Sequence, residues 1–427
     1  MIGTRANAKG STLSQANSTP SIWSNEGFRA YINSTGYTGM SFAMQQLLVS
    51  WLLIGVLQLA ADDVGSLQAL MGLPGIFLML WGGASADRVD PRSILLKSYA
   101  LAPLLPLFLI VVNHLSELSV WTVTLWGLGM SVLASFTQPA QQAILNRVAG
   151  NNVQRAVSAA TAVGFLVQIT GLMLAGQMGN IGLDIVLLVQ GVCFLLGALA
   201  IRKISRSEPA AQASQQSSMQ TIWAGLEAIY EHKVIYHVLS INFVSSIFNA
   251  GAFMTVFPFI IKRIYEGDAF LLGAMMAIFF AGATVSNILI YKLMPIARPG
   301  RLFLLMQLTR MVILLLFWMA PSWWLFVAAT IGWGLNMGFT TTLARTVVQE
   351  SAAPEFRGRI MSVFTLGMMG SAPIGAIVLG NIIEWFGTLN ALLPAIVISL
   401  VLCLFGILFT EVWQYRSPDP DLEDAPQ

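Results

Sequence analysis

The sequence predicts an all-α membrane protein with twelve transmembrane helices in two pseudo-symmetric six-helix bundles. Three observations lead to this fold class: a shortage of charged residues, a series of long apolar runs, and a repeat that relates the two halves of the chain. Charged residues make up 10% of the 427 residues and hydrophobic residues 56%, with a mean hydropathy of +0.72. A soluble protein carries roughly 25% charged residues, so this chain has too few to coat a water-facing surface.

The charge balance and the cysteines narrow the function classes. The chain has 22 Lys and Arg residues against 20 Asp and Glu, a net charge of +2, which does not favour a nucleic-acid-binding protein. Cys193 and Cys403 lie inside apolar runs, where a lone thiol acts as a small hydrophobe. No spacing of Cys, His or acidic residues indicates a metal site, a cofactor or a catalytic set. We therefore expect a protein that is not an enzyme and that needs no cofactor.

The apolar runs are long enough for membrane helices. A helix that crosses the hydrocarbon needs about 20 mainly apolar residues. Membrane barrels are built from alternating segments of about ten residues, so unbroken runs favour helices. The predicted spans are 34–58, 64–86, 94–113, 119–141, 155–178, 182–201, 235–261, 269–292, 301–320, 322–346, 359–383 and 389–412.

The basic residues predict the orientation. Only Lys262 and Arg263 fall on the side opposite the termini, while Arg310 and Arg345 fall within spans. The positive-inside rule then places the remaining basic residues and both termini in the cytoplasm. We expect a multi-pass protein of the bacterial inner membrane. Arg310 lies early in the ninth span and is expected to snorkel to the membrane surface; pairing with another residue or with an anionic substrate are the alternatives.

One long polar connection divides the chain. It follows the sixth span and is rich in Ser, Gln and Ala, which is typical of a flexible linker. The first twenty residues are polar and lack the apolar centre of a signal peptide. The predicted division is a cytoplasmic tail 1–30, a six-helix bundle 31–202, a cytoplasmic linker 203–233, a second six-helix bundle 234–413 and a cytoplasmic tail 414–427.

The two halves resemble each other. A shift of 204 residues aligns QRAVSAAT (154–161) with GRIMSVFT (358–365), and Gly171 and Gly176 then fall on Gly375 and Gly380. Small residues let membrane helices approach closely, so we expect these glycines to serve packing. Two similar bundles joined by a linker are the layout of a carrier that binds its substrate between the halves.

The loop between the second and third spans reads GGASADRVDPRSILL. It resembles the signature G-x-x-x-D-R-x-G-R-R of the major facilitator superfamily, with Asp90 in place of a glycine and Pro91 in place of an arginine. The corresponding loop of the second half, ARPGRL (297–302), resembles an eroded copy. The resemblance implies that these loops gate the carrier; the alternative is that their charges are merely solvated. The predicted gating residues are Gly83, Asp87, Arg88, Arg92, Arg298, Arg301, Arg357 and Arg359.

Two further segments, QPAQQAIL (138–145) and PEFRGRIMSVFTLGMMGSAPIGAIVLG (354–380), resemble the branch that contains the enterobactin exporter and macrolide-efflux-like proteins. This resemblance implies a secondary active transporter that exports an amphipathic, drug-like or siderophore-like molecule by alternating access, coupled to protons. No Asp or Glu lies at the centre of a predicted span, so proton coupling rests on the resemblance alone. An importer of a nutrient or lipid-like molecule, and a transport-inactive receptor or scaffold, share the fold and stay open as alternatives.

Polar residues inside spans are costly and tend to face the bundle interior. In the superfamily, the first, fourth, seventh and tenth helices line the cavity. The predicted substrate-binding residues are Tyr37, Ser41, Gln45, Gln168, Asn242, Asn249, Phe248, Asn336 and Thr340. The alternative is that each amide or hydroxyl only joins neighbouring helices. The expected partners are a small-molecule substrate, the lipid bilayer and a coupling proton, with no nucleic acid, and we expect the chain to be a monomer.

Overall fold

The computed structural model describes residues 22–86, 90–115, 118–206, 218–353 and 355–418, and the regular structure in these ranges is helical. Twelve long helical segments, α1 to α12, follow one another along the described chain. Their bounds are Glu26–Val56, Ala61–Ala86, Pro91–Leu115, Val120–Ala149, Val153–Gly176, Leu183–Ile201, Lys233–Arg263, Ala269–Leu293, Pro299–Trp318, Trp323–Ser351, Arg357–Phe386 and Asn390–Phe409.

These helices correspond one to one to the predicted spans. Within the described ranges, 10 helices are long and apolar enough to cross a membrane by length and composition alone. The helices α2 and α10 are not among them. Asn336, Thr340 and Arg345 lie on α10 and lower its hydropathy. Asn336 and Thr340 are buried, as expected for polar residues that face the protein interior, whereas Arg345 is exposed.

The helix ends differ from the predicted span ends. α1 begins at Glu26 rather than at residue 34, and α4 continues to Ala149 rather than ending at residue 141. Asn25 caps α1 by accepting a hydrogen bond from Gly27 N (2.8 Å), and its own amide donates to Val148 O near the end of α4 (3.0 Å). Apolar runs mark only the part of a helix that lies in lipid, so caps and contacts beyond the lipid were not predicted.

A further helix, Ser218–Glu231, occupies the second part of the predicted linker. It buries Ala228 and Ile229 in the core of the second bundle. It also lies close to α11, since a Cβ at Gly225 would be 2.9 Å from Arg359 O. This part of the predicted linker is therefore a packed helix, whose short amphipathic pattern was not recognised in the sequence.

The helix packing is the same in both halves. In the first half, α1 packs against α4, α5 and α6, α4 against α2 and α3, and α3 against α6. The second half repeats each of these pairs, six helices further along the chain. The halves meet mainly where α2 packs on α11 and α5 packs on α8, and these two contacts are themselves related by the repeat.

Glycines allow the closest of these contacts. A Cβ at Gly171 of α5 would lie 2.6 Å from Met40 O of α1, and a Cβ at Gly375 of α11 would overlap the backbone of α7 at Ile247. Gly176 and Gly380 occupy the corresponding contacts between the halves, against α8 and α2. These glycines thus serve packing, and the register that relates them in the sequence also relates their surroundings.

The first helix of each half contains a π-helical turn, Leu52–Val56 in α1 and Ala252–Val256 in α7. Such turns interrupt the regular i to i−4 hydrogen bonds and are frequent at functional sites. Both lie toward the same end of the bundle. We name this end, which holds the α1–α2 and α7–α8 connections, the far face. The opposite end, where α1 begins and α12 ends, is the terminal face.

Candidate substrate cavity

Two cavities lie between the helices of the two halves and share Met254 of the α7 π-turn in their walls. The arginine cavity is partly open and comprises about 780 Å³ of empty space. Its wall consists of Gln46, Asn242, Ser246, Asn249, Ala250, Phe253, Met254, Phe279, Phe280, Arg310, Met337, Thr340, Thr341, Met368 and Ser371.

The glutamine cavity lies beside it and encloses about 770 Å³. Helices α2, α4, α7 and α11 form its wall, which has four polar side chains from the first half: Gln68, Ser131, Ser135 and Gln138. Pro373 and Ala376 of α11 close the opposite side. Among the described residues, no Asp or Glu lines either cavity.

Arg310 is the charged group of the arginine cavity. It is buried and does not reach the membrane surface, so the expectation that it snorkels is wrong. Its guanidinium donates from Nε to Asn336 Oδ1 (3.2 Å), from Nη1 to Gln307 Oε1 (3.2 Å) and Ser245 Oγ, and from Nη2 to Thr340 Oγ1 (3.2 Å). Four neutral groups on three helices therefore hold it inside the second bundle.

An aromatic cluster stands beside Arg310. The rings of Phe253 and Phe279 stack with centroids 4.2 Å apart, and Phe280 meets Phe253 edge-on at 5.9 Å. Trp333 packs behind them and donates from its indole N–H to Asn249 Oδ1 (2.7 Å). This bond fixes the amide of Asn249 at the cavity wall.

Five of the nine predicted substrate-binding residues lie at or next to the arginine cavity. Asn242, Asn249 and Thr340 line the arginine cavity. Asn336 lies behind the wall, where it binds Arg310 and also donates to Met306 O (2.7 Å). Gln168 of α5 donates to Gln46 Oε1 (2.8 Å) and so reaches the edge of the cavity through a neighbour.

The remaining predicted residues do not line either of the two cavities in the described structure. Ser41 donates to Gln190 O of α6 (3.0 Å) and joins two helices of the first bundle. Tyr37 is 39% exposed, and Phe248 packs against the hydrophobic core. Gln45 lies next to Gln46, and Gln46 is the residue that faces the cavity. The rotation of α1 is set by its packing against α5 and α6, which a periodicity of polar residues does not reveal.

Besides Gln46, seven neutral polar wall residues were not predicted from the sequence: Gln68, Ser131, Ser135 and Gln138 in the glutamine cavity, and Ser246, Thr341 and Ser371 in the arginine cavity. Ser246 lies four residues after Asn242, and Thr341 follows Thr340, so the polar periodicity identified the right part of each helix but not its full face. Gln138 precedes Pro139 in α4, and the proline breaks the regular spacing on which the prediction depends.

The predicted gating loop is described only in part. Asp87 and Arg88 lie outside the described residues, and Gly83 lies near the end of α2. Arg92 donates to Arg202 O at the end of α6 (2.9 Å). Asp90, which departs from the superfamily signature, accepts from Arg92 N (3.3 Å) as the cap of α3 and pairs with Arg147 of α4 (3.6 Å). The departure therefore replaces a glycine with a side chain that ties α3 to α4.

The second copy of the loop makes related contacts in its own half. The guanidinium of Arg301 stacks on Trp413 at 4.5 Å, just beyond α12. Arg298 precedes α9 without a side-chain capping bond, and Arg357 begins α11 as an exposed residue. Arg359 lies 5.7 Å from the ring of Phe356. In each half, the loop thus ties the third helix of the bundle to the segment after its sixth helix.

The far face is closed by contacts between the halves. Glu384 of α11 accepts a hydrogen bond from Ala61 N, the first residue of α2 (2.8 Å), and pairs with Arg263 of α7 (3.5 Å). Deeper in the bundle, Thr255 of the α7 π-turn donates to Gln68 Oε1 (2.9 Å), and Gln68 Nε2 donates to Met254 O (3.3 Å). The π-turn therefore supplies both a hydroxyl and a carbonyl to the first half.

The packing is looser toward the terminal face. A Cβ at Gly164 of α5 or at Gly370 of α11 would meet no described atom within 4 Å, apart from its own helix. At the far face, by contrast, a Cβ at Gly380 would be 2.5 Å from Ala61 O. The interface between the halves is thus tightest at the far face, beyond the two cavities.

Two repeated bundles with cavities between them, closed at one face, define a membrane transporter of the major facilitator type. The chain belongs to the transmembrane secretion effector family of this superfamily, which it matches over residues 18–423. Among curated proteins, no sequence matches the chain.

Solved transporter structures share the fold at low sequence identity. The nucleoside transporter NupG is 15% identical, with a TM-score of 0.71 over 92% of this chain and 100% of that one. A bacterial homolog of the human lysosomal transporter Spinster, solved inward-facing and unoccupied, is 13% identical, with a TM-score of 0.68 over 92% and 99%. A POT family transporter in complex with 5-aminolevulinic acid is 10% identical, with a TM-score of 0.71 over 91% and 97%. At these identities the likeness concerns the fold alone.

Proposed function

We propose that this secondary transporter exports an amphipathic small molecule across the bacterial inner membrane by alternating access, with both termini in the cytoplasm. The observation that carries the proposal is the arginine cavity, which combines amide and hydroxyl groups with a wall of Phe and Met side chains between the two halves. Soft aromatic walls with a few polar groups suit an organic molecule better than a sugar or a small ion. The family's description as a secretion effector supports export.

The orientation is supported by the basic residues at the two faces. Lys262 and Arg263 end α7 at the far face, and the opposite face has the larger number of Lys and Arg residues. The positive-inside rule then assigns the terminal face to the cytoplasm. In that orientation the closed far face is periplasmic, and an exporter in this state would load its substrate from the cytoplasm.

We propose that a proton drives the export and that the far-face carboxylate of Glu384 takes part. Glu384 accepts a hydrogen bond from Ala61 N of the first half and pairs with Arg263 of its own half. Protonation would weaken both contacts, because a neutral carboxyl loses the ion pair and accepts hydrogen bonds less strongly. An opening that depends on protonation would couple the rocking of the halves to a proton gradient.

We further propose that the loop with Asp87, Arg88 and Arg92 acts as a switch between the two states, as the superfamily signature implies. Asp87→Asn should lower the transport rate while leaving substrate binding measurable, because the amide keeps the shape but loses the charge. Transport assays on proteoliposomes and equilibrium binding on the same preparation separate the two effects. Unchanged transport would refute the switch.

The export proposal is tested by efflux from cells that express the protein. Accumulation of a panel of dyes, antibiotics and siderophores is measured with and without a protonophore, beside cells with an empty vector. We expect lower accumulation of at least one amphipathic compound, and we expect the protonophore to abolish the difference. If every compound accumulates equally, the export proposal is refuted; higher accumulation on expression would indicate an importer.

A further inference from the structure

We propose that the arginine cavity selects organic anions: the anionic group of the substrate lies against Arg310, and its apolar body lies against the Phe and Met wall. This inference rests on the proposed function for its physiological meaning, and it concerns the charge of the ligand, which the transport proposal leaves open.

Arg310 carries a buried charge. None of the ion pairs among the described residues includes Arg310, and its hydrogen-bond partners are two amides and two hydroxyls. A charged side chain inside a membrane bundle is costly, and it usually pairs with an opposite charge or marks a substrate pathway. Because the described cavity walls have no carboxylate, a bound ligand is the group that can neutralise this charge.

The N–H donors of Arg310 are fixed in position and not all used. A guanidinium has five N–H groups. Those of Nε and Nη1 and one of Nη2 are used by Asn336, Ser245, Gln307 and Thr340. One Nη2 hydrogen has no partner among these bonds, and Arg310 forms part of the cavity wall. The four bonds hold the guanidinium in place, so an anion entering the cavity meets a donor whose position is already fixed.

The wall around that donor is mainly apolar, with a few neutral polar groups. Phe253, Phe279 and Phe280 form one apolar side, while Met254, Met337 and Met368 complete it with adaptable thioethers. Asn242, Ser246 and Thr341 add neutral polar groups. Such a wall favours an aromatic or aliphatic body next to the anionic group, and it gives no carboxylate with which a cationic amphiphile could pair.

The experiment compares an anionic and a neutral probe that differ by one sulfonate group. 1-Anilinonaphthalene-8-sulfonate is an anion, and N-phenyl-1-naphthylamine has the same aromatic body without the sulfonate. Binding of each to the full-length protein in phosphatidylcholine nanodiscs is measured by fluorescence, with empty nanodiscs subtracted for lipid partition. We expect the anion to bind about tenfold more tightly or better, as a charge-assisted hydrogen bond predicts.

Three variants test whether Arg310 is the source of the preference. Arg310→Met should remove the preference, which is measured as the ratio of the two probes' affinities so that a change common to both probes cancels. Asn336→Asp places a carboxylate at the position that accepts from Arg310 Nε, and it should have the same effect although the arginine is retained. Arg310→Lys should keep part of the preference. Arg345→Gln, which removes an exposed charge from α10, is the matched control and should leave it unchanged.

The outcomes are distinct. Equal affinity of the two probes for the wild-type protein overturns the inference, as does a preference that survives both Arg310→Met and Asn336→Asp. If Arg310→Met fails to fold, Asn336→Asp and Arg310→Lys still decide the question, since both retain a buried cation. Because only binding is measured, an anion preference with no efflux would refute the export proposal alone, whereas efflux with no anion preference would refute this inference alone.

Discussion

The two halves of the transporter have the same packing but different polar interiors. In the first half, Gln141 donates to Tyr99 Oη (2.6 Å) near Thr38, and the cluster is neutral. In the second half, the buried polar cluster is built around the guanidinium of Arg310. Duplication therefore accounts for the scaffold, whereas the buried guanidinium that we propose meets the substrate belongs to the second half.

The aromatic residues show the same asymmetry. Stacked and edge-on ring pairs connect Phe253, Phe257, Phe317, Phe326 and Trp333 into one cluster of the second half. In the first half the described ring pairs are smaller sets, such as Phe42 with Phe194 and Tyr99 with Phe194. Part of this aromatic cluster lines the arginine cavity beside Arg310, whereas the first half contributes Gln46 to that cavity and its other polar wall residues to the glutamine cavity.

The largest expected effect tests the shared packing. Gly171→Ala and Gly375→Ala each force a Cβ onto the backbone of the first helix of the bundle. Overpacking of this kind costs about 1–3 kcal/mol, so both variants should lower the thermal unfolding midpoint to a similar degree. Gly164→Ala and Gly370→Ala, on the same two helices but with space for a Cβ, are the controls and should not lower it. Similar midpoints for all four variants would contradict the packing symmetry.

The next effect tests the chemical difference between the halves. Arg310→Met should lower the transport rate about tenfold or more, because it removes a charge-assisted contact to substrate. Gln141→Met removes the neutral contact to Tyr99 and should lower stability by about 1 kcal/mol with little change in transport. Transport in proteoliposomes, normalised to folded protein, separates the two. Equal losses of transport in both variants would mean that both interiors serve only to stabilise the fold.

The smallest effect concerns the far face, where the halves meet. Glu384→Gln keeps an acceptor for Ala61 N but loses the ion pair with Arg263. The pair is partly exposed, with side chains 41% and 33% accessible, so its loss should shift the equilibrium by only about 0.5 kcal/mol, roughly a twofold change in open population. Exchange of the amide of Ala61, followed by mass spectrometry, measures this opening. If Glu384→Gln leaves the exchange protection of the Ala61 amide unchanged, Glu384 does not contribute to gating.

The sequence predicted the helices well because hydropathy depends on composition over a whole span. It could not predict where α1 and α4 end, since caps such as Asn25 act outside the lipid. The matching glycines predicted close helix contacts in both halves, because a residue without a side chain lets two helices approach closely wherever it lies between them.

The cavity was harder to predict than the fold. Asn242, Asn249 and Thr340 were found from the cost of polar groups in lipid, and Ser41 shows the limit of that rule, because a polar group satisfied by a neighbouring helix has the same cost. The sequence showed how far along α9 Arg310 lies, but it did not show that α7 and α10 supply hydrogen-bond partners for it. Those contacts exist only after the bundle has formed.

The proposed transport cycle requires that the arginine cavity, between two rocking halves, opens alternately to the two faces. Its most direct test is labelling of Ser246→Cys in the cavity wall by a membrane-impermeant thiol reagent, in a background where the buried Cys193 and Cys403 are replaced. Ser399→Cys, buried in α12, serves as the control that neither side reaches. We expect labelling from the terminal face at rest, and additional labelling from the far face during turnover with substrate and a proton gradient. Labelling from one face alone under every condition would contradict the account.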